Sequence, residues 1–213
     1  GFIKKNTKIV NEEILINEIK QEFKNRIIDD VDYKTTHIKE FINEKSVVVL
    51  DEVESWEEAI KISGSLLVDN MYVKTEYIDE MINLVKKYGS YIVIDDGIAL
   101  PHAGISRNVL KLGVGVLVVK KPVLFSDKKS ANIFISFASN ENKSHLTILN
   151  DLFDLITKYD LKGELLQAKD KHEVIDYFIK TKVYSRYKSI YFLISSSVHL
   201  QPKIISTKAG FLN

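Results

Sequence analysis

The residue most able to do chemistry is His102, which follows Pro101 and precedes Ala103 in the run Gly97-Ile-Ala-Leu-Pro-His-Ala103. A neutral imidazole is a nucleophile near neutral pH and needs no added base. A lone histidine after a proline is, on local grounds alone, more commonly a hydrogen-bonded structural residue, so its neighbours must decide. Pro101 fixes its own backbone and biases Leu100 towards an extended conformation. Ala103 and Gly104 leave one side of the ring uncrowded. The apolar run Tyr91-Ile-Val-Ile94 leads in through Asp95-Asp96-Gly97, a turn signal. The expectation is a strand, a turn, a short second strand and a histidine presented at its end, within reach of a partner protein. Asp95 and Asp96 are expected to face away from the ring and serve the turn.

A second histidine stands where an anion is favoured. The polar loop from Ser139 to Ser144 opens a helix at His145, whose apolar face is Leu146, Leu149, Leu152, Phe153 and Ile156. Asn142 or Ser144 is the expected cap. The first turn of a helix carries unpaired N–H groups and the positive end of the dipole, which together attract negative charge. The other histidines fit quieter roles: His37 as an exposed helix residue, His172 as a solvated residue in the first turn of the last helix, and His199 with no role.

Composition removes several classes of function. The 213 residues suit one ordinary domain with extensions, or two small ones. Lys and Arg number 30 against 29 Asp and Glu, which gives no reason to expect a nucleic-acid partner. Cysteine is absent, so disulfides, thiolate catalysis and cysteine-ligated metals are excluded, in keeping with a reducing cytoplasm. No apolar run approaches the roughly 20 residues of a membrane span. The chain opens on Gly1 without a signal peptide, and a fragment of a longer protein, or a processed tag, is expected.

The elements that must position the histidines follow from periodicity. Residues 1–44 read as a helical linker or N-terminal extension, with Ile14, Ile16, Ile19, Phe23 and Ile27 at roughly helical spacing. Ser46–Leu50 is a β-branched strand. Ser55 with Glu58 forms a capping box before a helix with a wide apolar face from Trp56 to Leu67, closed at Asn70. Lys74–Tyr88 is a second helix, with Tyr77, Ile78, Met81, Ile82 and Val85 on one face and Gly89 as its stop. Trp56 and Tyr77 read as packing residues. Leu110–Val119 is a strand whose Gly113 and Gly115 leave one face bare. It carries neither G-x-G-x-x-G nor GK[ST], so it is no nucleotide loop. Pro122–Phe125 is a short extended piece and Ala131–Ala138 another strand; Leu161–Ala168 and Lys171–Ile179 are short helices. From Val183 the pattern stops being amphipathic, and residues 183–213 read as a tail of unclear origin. The fold expected is α/β, a mixed sheet of about five strands flanked by helices. The strand–helix–helix–strand order allows parallel pairing, and the closely linked strands from Tyr91 to Ala138 favour antiparallel pairs.

Six motifs in order carry a family resemblance: W-E-E-A-I (Trp56–Ile60), L-L-V (Leu66–Val68), Y-I-D-E-M-I (Tyr77–Ile82), Y-I-V-I (Tyr91–Ile94), G-I-A-L-P-H-A (Gly97–Ala103) and S-H-L-T-I-L (Ser144–Leu149). The chain between residues 45 and 180 resembles the EIIA domain of the bacterial phosphoenolpyruvate-dependent sugar phosphotransferase system. The branch is the fructose–mannitol superfamily, and the ascorbate-type members look closest. The domain is bounded at 45–182. The resemblance implies that His102 is the phosphoryl acceptor, charged by phosphohistidine on the carrier HPr and able to pass the group to an EIIB domain. It implies that His145 is the second active-site histidine, steadying the phosphoryl group, and that no cofactor or metal takes part. Some relatives place an arginine in the preceding helix; Lys86 and Lys87 stand at that helix end here. The family's motif often continues with a polar or basic residue, where this chain has Gly104.

Two settings follow from the resemblance. One is a phosphocarrier subunit of a sugar transporter, a phosphotransferase component. The other is a regulatory EIIA-like domain at the C-terminus of a transcriptional antiterminator, a phospho-acceptor rather than an enzyme; it is preferred because residues 1–44 look like a linker from a preceding domain. Either is cytoplasmic, without membrane insertion or direct nucleic-acid contact. A metal-dependent hydrolase using His102, His145 and Asp95 or Asp96 is the alternative from another class, and no HExxH-type spacing supports it.

Overall fold

The computed structural model describes residues 36–95, 97–125, 128–140 and 145–181. The helical reading of the first 35 residues, the turn residue Asp96, the loop caps Asn142 and Ser144, and the tail 183–213 with His199 lie outside the described residues.

Five strands form one mixed sheet. They are β1 (Val47–Leu50), β2 (Val93–Asp95), β3 (Gly97–Ala99), β4 (Gly113–Leu124) and β5 (Ser130–Ala138), in the order β1-β4-β5-β3-β2. β1 pairs parallel with β4, and β3 parallel with β5; β2/β3 and β4/β5 are antiparallel. Both expected pairing modes are therefore present. The parallel β1/β4 pair is possible because two helices, α1 (Trp56–Asp69) and α2 (Glu76–Tyr88), lie between the strands in sequence. The piece expected at Pro122–Phe125 is the end of β4, which runs through Pro122 near a shift in register between Val118 and Val123.

The strand residues alternate between two cores. Val114, Val116 and Val118 of β4 join Ile133 and Ile135 of β5 on one face, under α3 (His145–Lys158), α4 (Leu161–Gln167) and α5 (Lys171–Lys180). Leu117 and Val119 join Ala131 and Phe134 on the other, under α1 and α2. The bare glycine face of β4 lies on this second side. A Cβ on Gly115 would fall 2.8 Å from the backbone oxygen of Ser63 and 2.9 Å from Leu66 Cβ, so α1 approaches the strand backbone itself. Next to it, Ser136 and Ser63 share a buried 2.7 Å hydroxyl–hydroxyl bond.

Two local readings change. Ser55 accepts the Glu58 N–H at 3.2 Å as expected, but the Glu58 carboxylate takes the N–H of Glu54, not that of Ser55. Ser55 is extended, with φ −155° and ψ 166°, and the carboxylate caps the amide that precedes it. His37 is not an exposed helix residue. It stands before a 3₁₀ turn, Ile38–Phe41, and its Nδ1 lies 3.0 and 3.1 Å from the two carboxylate oxygens of Asp151. A wholly buried carboxylate needs such partners, and the Ile38 N–H supplies another at 2.9 Å. Ile38, Phe41 and Ile42 are core residues, so packing begins ahead of residue 45. His172 is exposed as expected and meets Glu44 at 3.0 Å.

Candidate functional site

His102 stands two residues beyond the buried Leu100, at the end of the segment that β3 begins. β3 is clasped between β5 and β2, and the Leu100 N–H extends the clasp by donating to Ile92 O at 2.8 Å. Pro101 has no N–H to offer, and its carbonyl accepts the N–H of Phe137 at 3.1 Å. The chain then leaves the sheet, and Gly104 and Ile105 are exposed.

The ring of His102 is half-buried and held on three sides. Its Nδ1 lies 2.8 Å from the carbonyl oxygen of Leu100. A carbonyl only accepts, so Nδ1 carries the hydrogen and the lone pair resides on Nε2. One face stacks on Phe137, with centroids 4.9 Å apart and planes 18° from parallel. Tyr91 meets it edge-on at 5.8 Å, and the Tyr91 hydroxyl donates to the His102 carbonyl at 3.2 Å. Burial pushes the Tyr91 phenol up to about 12, so it remains a donor at any physiological pH.

Tyr77 reaches the same loop from α2. Its side chain is wholly buried, and its oxygen accepts the Ala103 N–H at 3.0 Å while lying 3.0 Å from Ala103 O and 3.2 Å from Phe137 O. Burial pushes this phenol, too, up to about 12. Periodicity predicts Tyr77 as a packing residue and gives no hint that its hydroxyl bonds the loop carrying His102. The available signal was a phenol among aliphatic residues on a helix face destined for the core, where a buried hydroxyl must find a partner. Phe137 reads from sequence only as a strand residue, with no signal of its stacking on His102.

His145 is the first residue of α3, as the sequence reading expected. Ile148 and Leu152 of this helix share a core cluster with Leu100 and Phe137, the residues that frame His102. Lys86 and Lys87 fall in the last turn of α2. Lys87 lines a shallow depression of about 380 Å³ with Glu80, Asn83, Leu84 and the loop Ala103–Ser106, and its Nζ sits 4.9 Å over the ring of Tyr88. Asp95 is exposed on β2. Among the described residues no three His, Asp or Glu side chains converge, and no helix is long and apolar enough to cross a membrane.

These features define an α/β domain that holds one oriented imidazole at the rim of a mixed sheet, ahead of the exposed loop at Gly104 and Ile105. Residues 40–181 match the family described as "Phosphoenolpyruvate-dependent sugar phosphotransferase system, EIIA 2". The chain belongs to this EIIA family. It is 29% identical over 140 residues to the ascorbate-specific PTS system EIIA component of Escherichia coli K12, a match covering 64% of this chain and 91% of that protein. In fold it is similar to a putative PTS IIA (PtxA) from Streptococcus mutans, with a TM-score of 0.63 and 24% identity over 68% of this chain and 94% of that one. It is also similar in fold to the mannitol IIA of Escherichia coli, solved in complex with phosphorylated enzyme IIB. There the TM-score is 0.57 and the identity 23%, over 65% of this chain and 97% of that chain.

Proposed function

We propose that this EIIA domain forms a phosphohistidine at Nε2 of His102, taking the phosphoryl group from phosphohistidine on HPr. The observation that carries the proposal is the 2.8 Å contact of His102 Nδ1 with Leu100 O, which leaves the lone pair on Nε2. In the transfer, that lone pair forms the new N–P bond while the donor ring keeps the electron pair of the bond that breaks. The accepting ring becomes an imidazolium whose Nδ1–H still donates to Leu100 O. No proton has to leave, and the carbonyl dipole faces the new positive charge. Phosphoryl transfer asks a protein for positioning and charge stabilisation more than for covalent work.

His145 is the stabilising partner. As the first residue of α3 it stands where helix N–H groups and the dipole favour an anion, and support for its place near His102 comes from the core cluster that Ile148 and Leu152 of α3 share with Leu100 and Phe137. The cation of Lys87, on the rim beside Ala103, stands in the helix where some relatives carry an arginine. From His102 the group passes to an EIIB domain, a step supported by the fold relative solved with phosphorylated IIB. The ascorbate-specific relative supports a transporter phosphocarrier. A second setting, the regulatory domain of a transcriptional antiterminator, is favoured by residues 1–39, which precede the family match. In both the domain works in the cytoplasm and touches neither nucleic acid nor membrane itself. The full-length gene product separates them: upstream DNA- or RNA-binding modules would rule out the transporter subunit.

The test is intact-mass analysis after incubation with phosphoenolpyruvate, enzyme I and HPr. The wild type gains one acid-labile phosphoryl group, His102→Ala gains none, and His145→Ala accepts slowly. A wild type that gains no mass, or a His102→Ala variant that still does, would refute the assignment.

A further inference from the structure

Pro101 and Ala103, the residues on either side of His102, are both tied to Phe137, the residue whose ring carries the imidazole. Pro101 is tied directly, its carbonyl accepting the Phe137 N–H at 3.1 Å. Ala103 is tied through Tyr77, whose oxygen takes the Ala103 N–H at 3.0 Å and lies 3.2 Å from Phe137 O. One phenolic proton serves two carbonyls here, Ala103 O and Phe137 O. The hydroxyl is thus a junction where the histidine loop and β5 meet. Beyond Ala103 the chain runs out to exposed Gly104 and Ile105, so Tyr77 holds the loop at the residue just before that exposed stretch.

We propose that Tyr77 is a positioning residue for His102, its hydroxyl holding the histidine loop on β5 so that the ring stays stacked on Phe137 with Nδ1 on Leu100 O. A phenylalanine would fill the same buried space on α2. It would leave the Ala103 N–H and two carbonyls without their shared partner, and the main chain on the C-terminal side of His102 could drift from Phe137. A ring displaced by about an ångström loses the Leu100 contact that fixes its tautomer and its line of attack on phosphorus. The effect on rate rests on the reading of His102 as the phosphoryl acceptor; the effect on the tautomer does not.

The experiment compares wild type, Tyr77→Phe and Tyr177→Phe. Tyr177 is the control because its hydroxyl also donates to a carbonyl, that of Tyr159 at 3.0 Å, away from the histidine loop. Two quantities are read: the rate of phosphoryl uptake from phospho-HPr, and the ¹⁵N shifts of the His102 ring. In Tyr77→Phe uptake should slow roughly ten- to a hundredfold, and the ring nitrogens should move from a single tautomer towards the averaged values of a mobile imidazole. Tyr177→Phe should keep wild-type rate and shifts. A Tyr77→Phe protein with wild-type uptake and unchanged ring shifts overturns the proposal.

Should Tyr77→Phe not fold, amide exchange of the wild type decides. The Ala103 N–H should exchange far more slowly than that of Gly104, and equal rates would overturn the clamp. Failure of the wild type to take up phosphoryl would count against the carrier reading alone, since the ring shifts still judge Tyr77.

Discussion

The Nδ1 of His102 lies 2.8 Å from the carbonyl oxygen of Leu100, two residues earlier in the chain. This contact decides which nitrogen is the nucleophile, because a ring nitrogen that donates its hydrogen has no lone pair to offer. The phosphorylated protein should therefore carry its phosphoryl group on Nε2. Nitrogen–phosphorus NMR correlations distinguish the two isomers, and an Nδ1-linked product would contradict the geometry.

The pairing of His37 with Asp151 should be worth more than a surface ion pair, since the Asp151 side chain is wholly buried. His37→Ala leaves the carboxylate with the Ile38 N–H as its remaining described donor. The loss should be about 1–3 kcal/mol of unfolding free energy, measured by urea denaturation. A change within error would mean that the pair is screened like an exposed one.

The same carboxylate has a pH signature. Burial raises the Asp151 pKa above its ordinary 3.8, outweighing the Ile38 N–H, His37 and its hydrogen bond, which all lower it; Asp154 nearby adds to the rise. The folded state then holds this proton to higher pH than the unfolded state. Its contribution is fully present below 3.8 and is lost as pH rises through the folded value. Asp151→Asn should accordingly remove a downward term from the stability curve just above pH 3.8. Denaturation midpoints of both proteins across the acid range would show the two curves running parallel if this is wrong.

Tyr77 and Tyr91 have phenols pushed up to about 12 from an ordinary 10.0, chiefly by burial. Their contribution to stability is present below pH 10.0 and is lost between there and about 12, as the unfolded chain ionises first. Tyrosinate absorbance in the folded protein should show late-titrating phenols, one fewer in Tyr91→Phe. An unchanged titration would place Tyr91 in solvent.

Gly115 should resist enlargement while Gly104 should accept it. A Cβ on Gly115 meets the Ser63 backbone oxygen at 2.8 Å, whereas nothing lies within 4 Å of one on Gly104. Gly115→Ala should cost about 1–3 kcal/mol by pushing α1 off the strand. Gly104→Ala should leave the thermal midpoint where it is, and equal behaviour of the two would deny the close approach.

The sequence by itself determined the histidine's setting, because its determinants are adjacent. Pro101 restricts Leu100, and the apolar run that ends at Ile94 supplies residues of β2, the strand that pairs antiparallel with β3. Helix spans followed from periodicity and caps: the reading that closed one helix at Asn70 and stopped the next at Gly89 matches α1 and α2. The mixed sheet followed from element order, and the family from six ordered motifs. Only the tertiary structure decided which distant residues meet. His37 and Asp151 are 114 positions apart, and nothing local to His37 predicts a buried carboxylate beside it. Tyr77 is 60 positions from Phe137, and its hydroxyl matters only because the sheet order sets β3 beside β5 and α2 against that face. Periodicity says that a side chain faces the core; it does not say what waits there. A buried polar atom must find its partner wherever the fold brings one. In this domain the fold brings the partners of Tyr77 to the loop that carries His102.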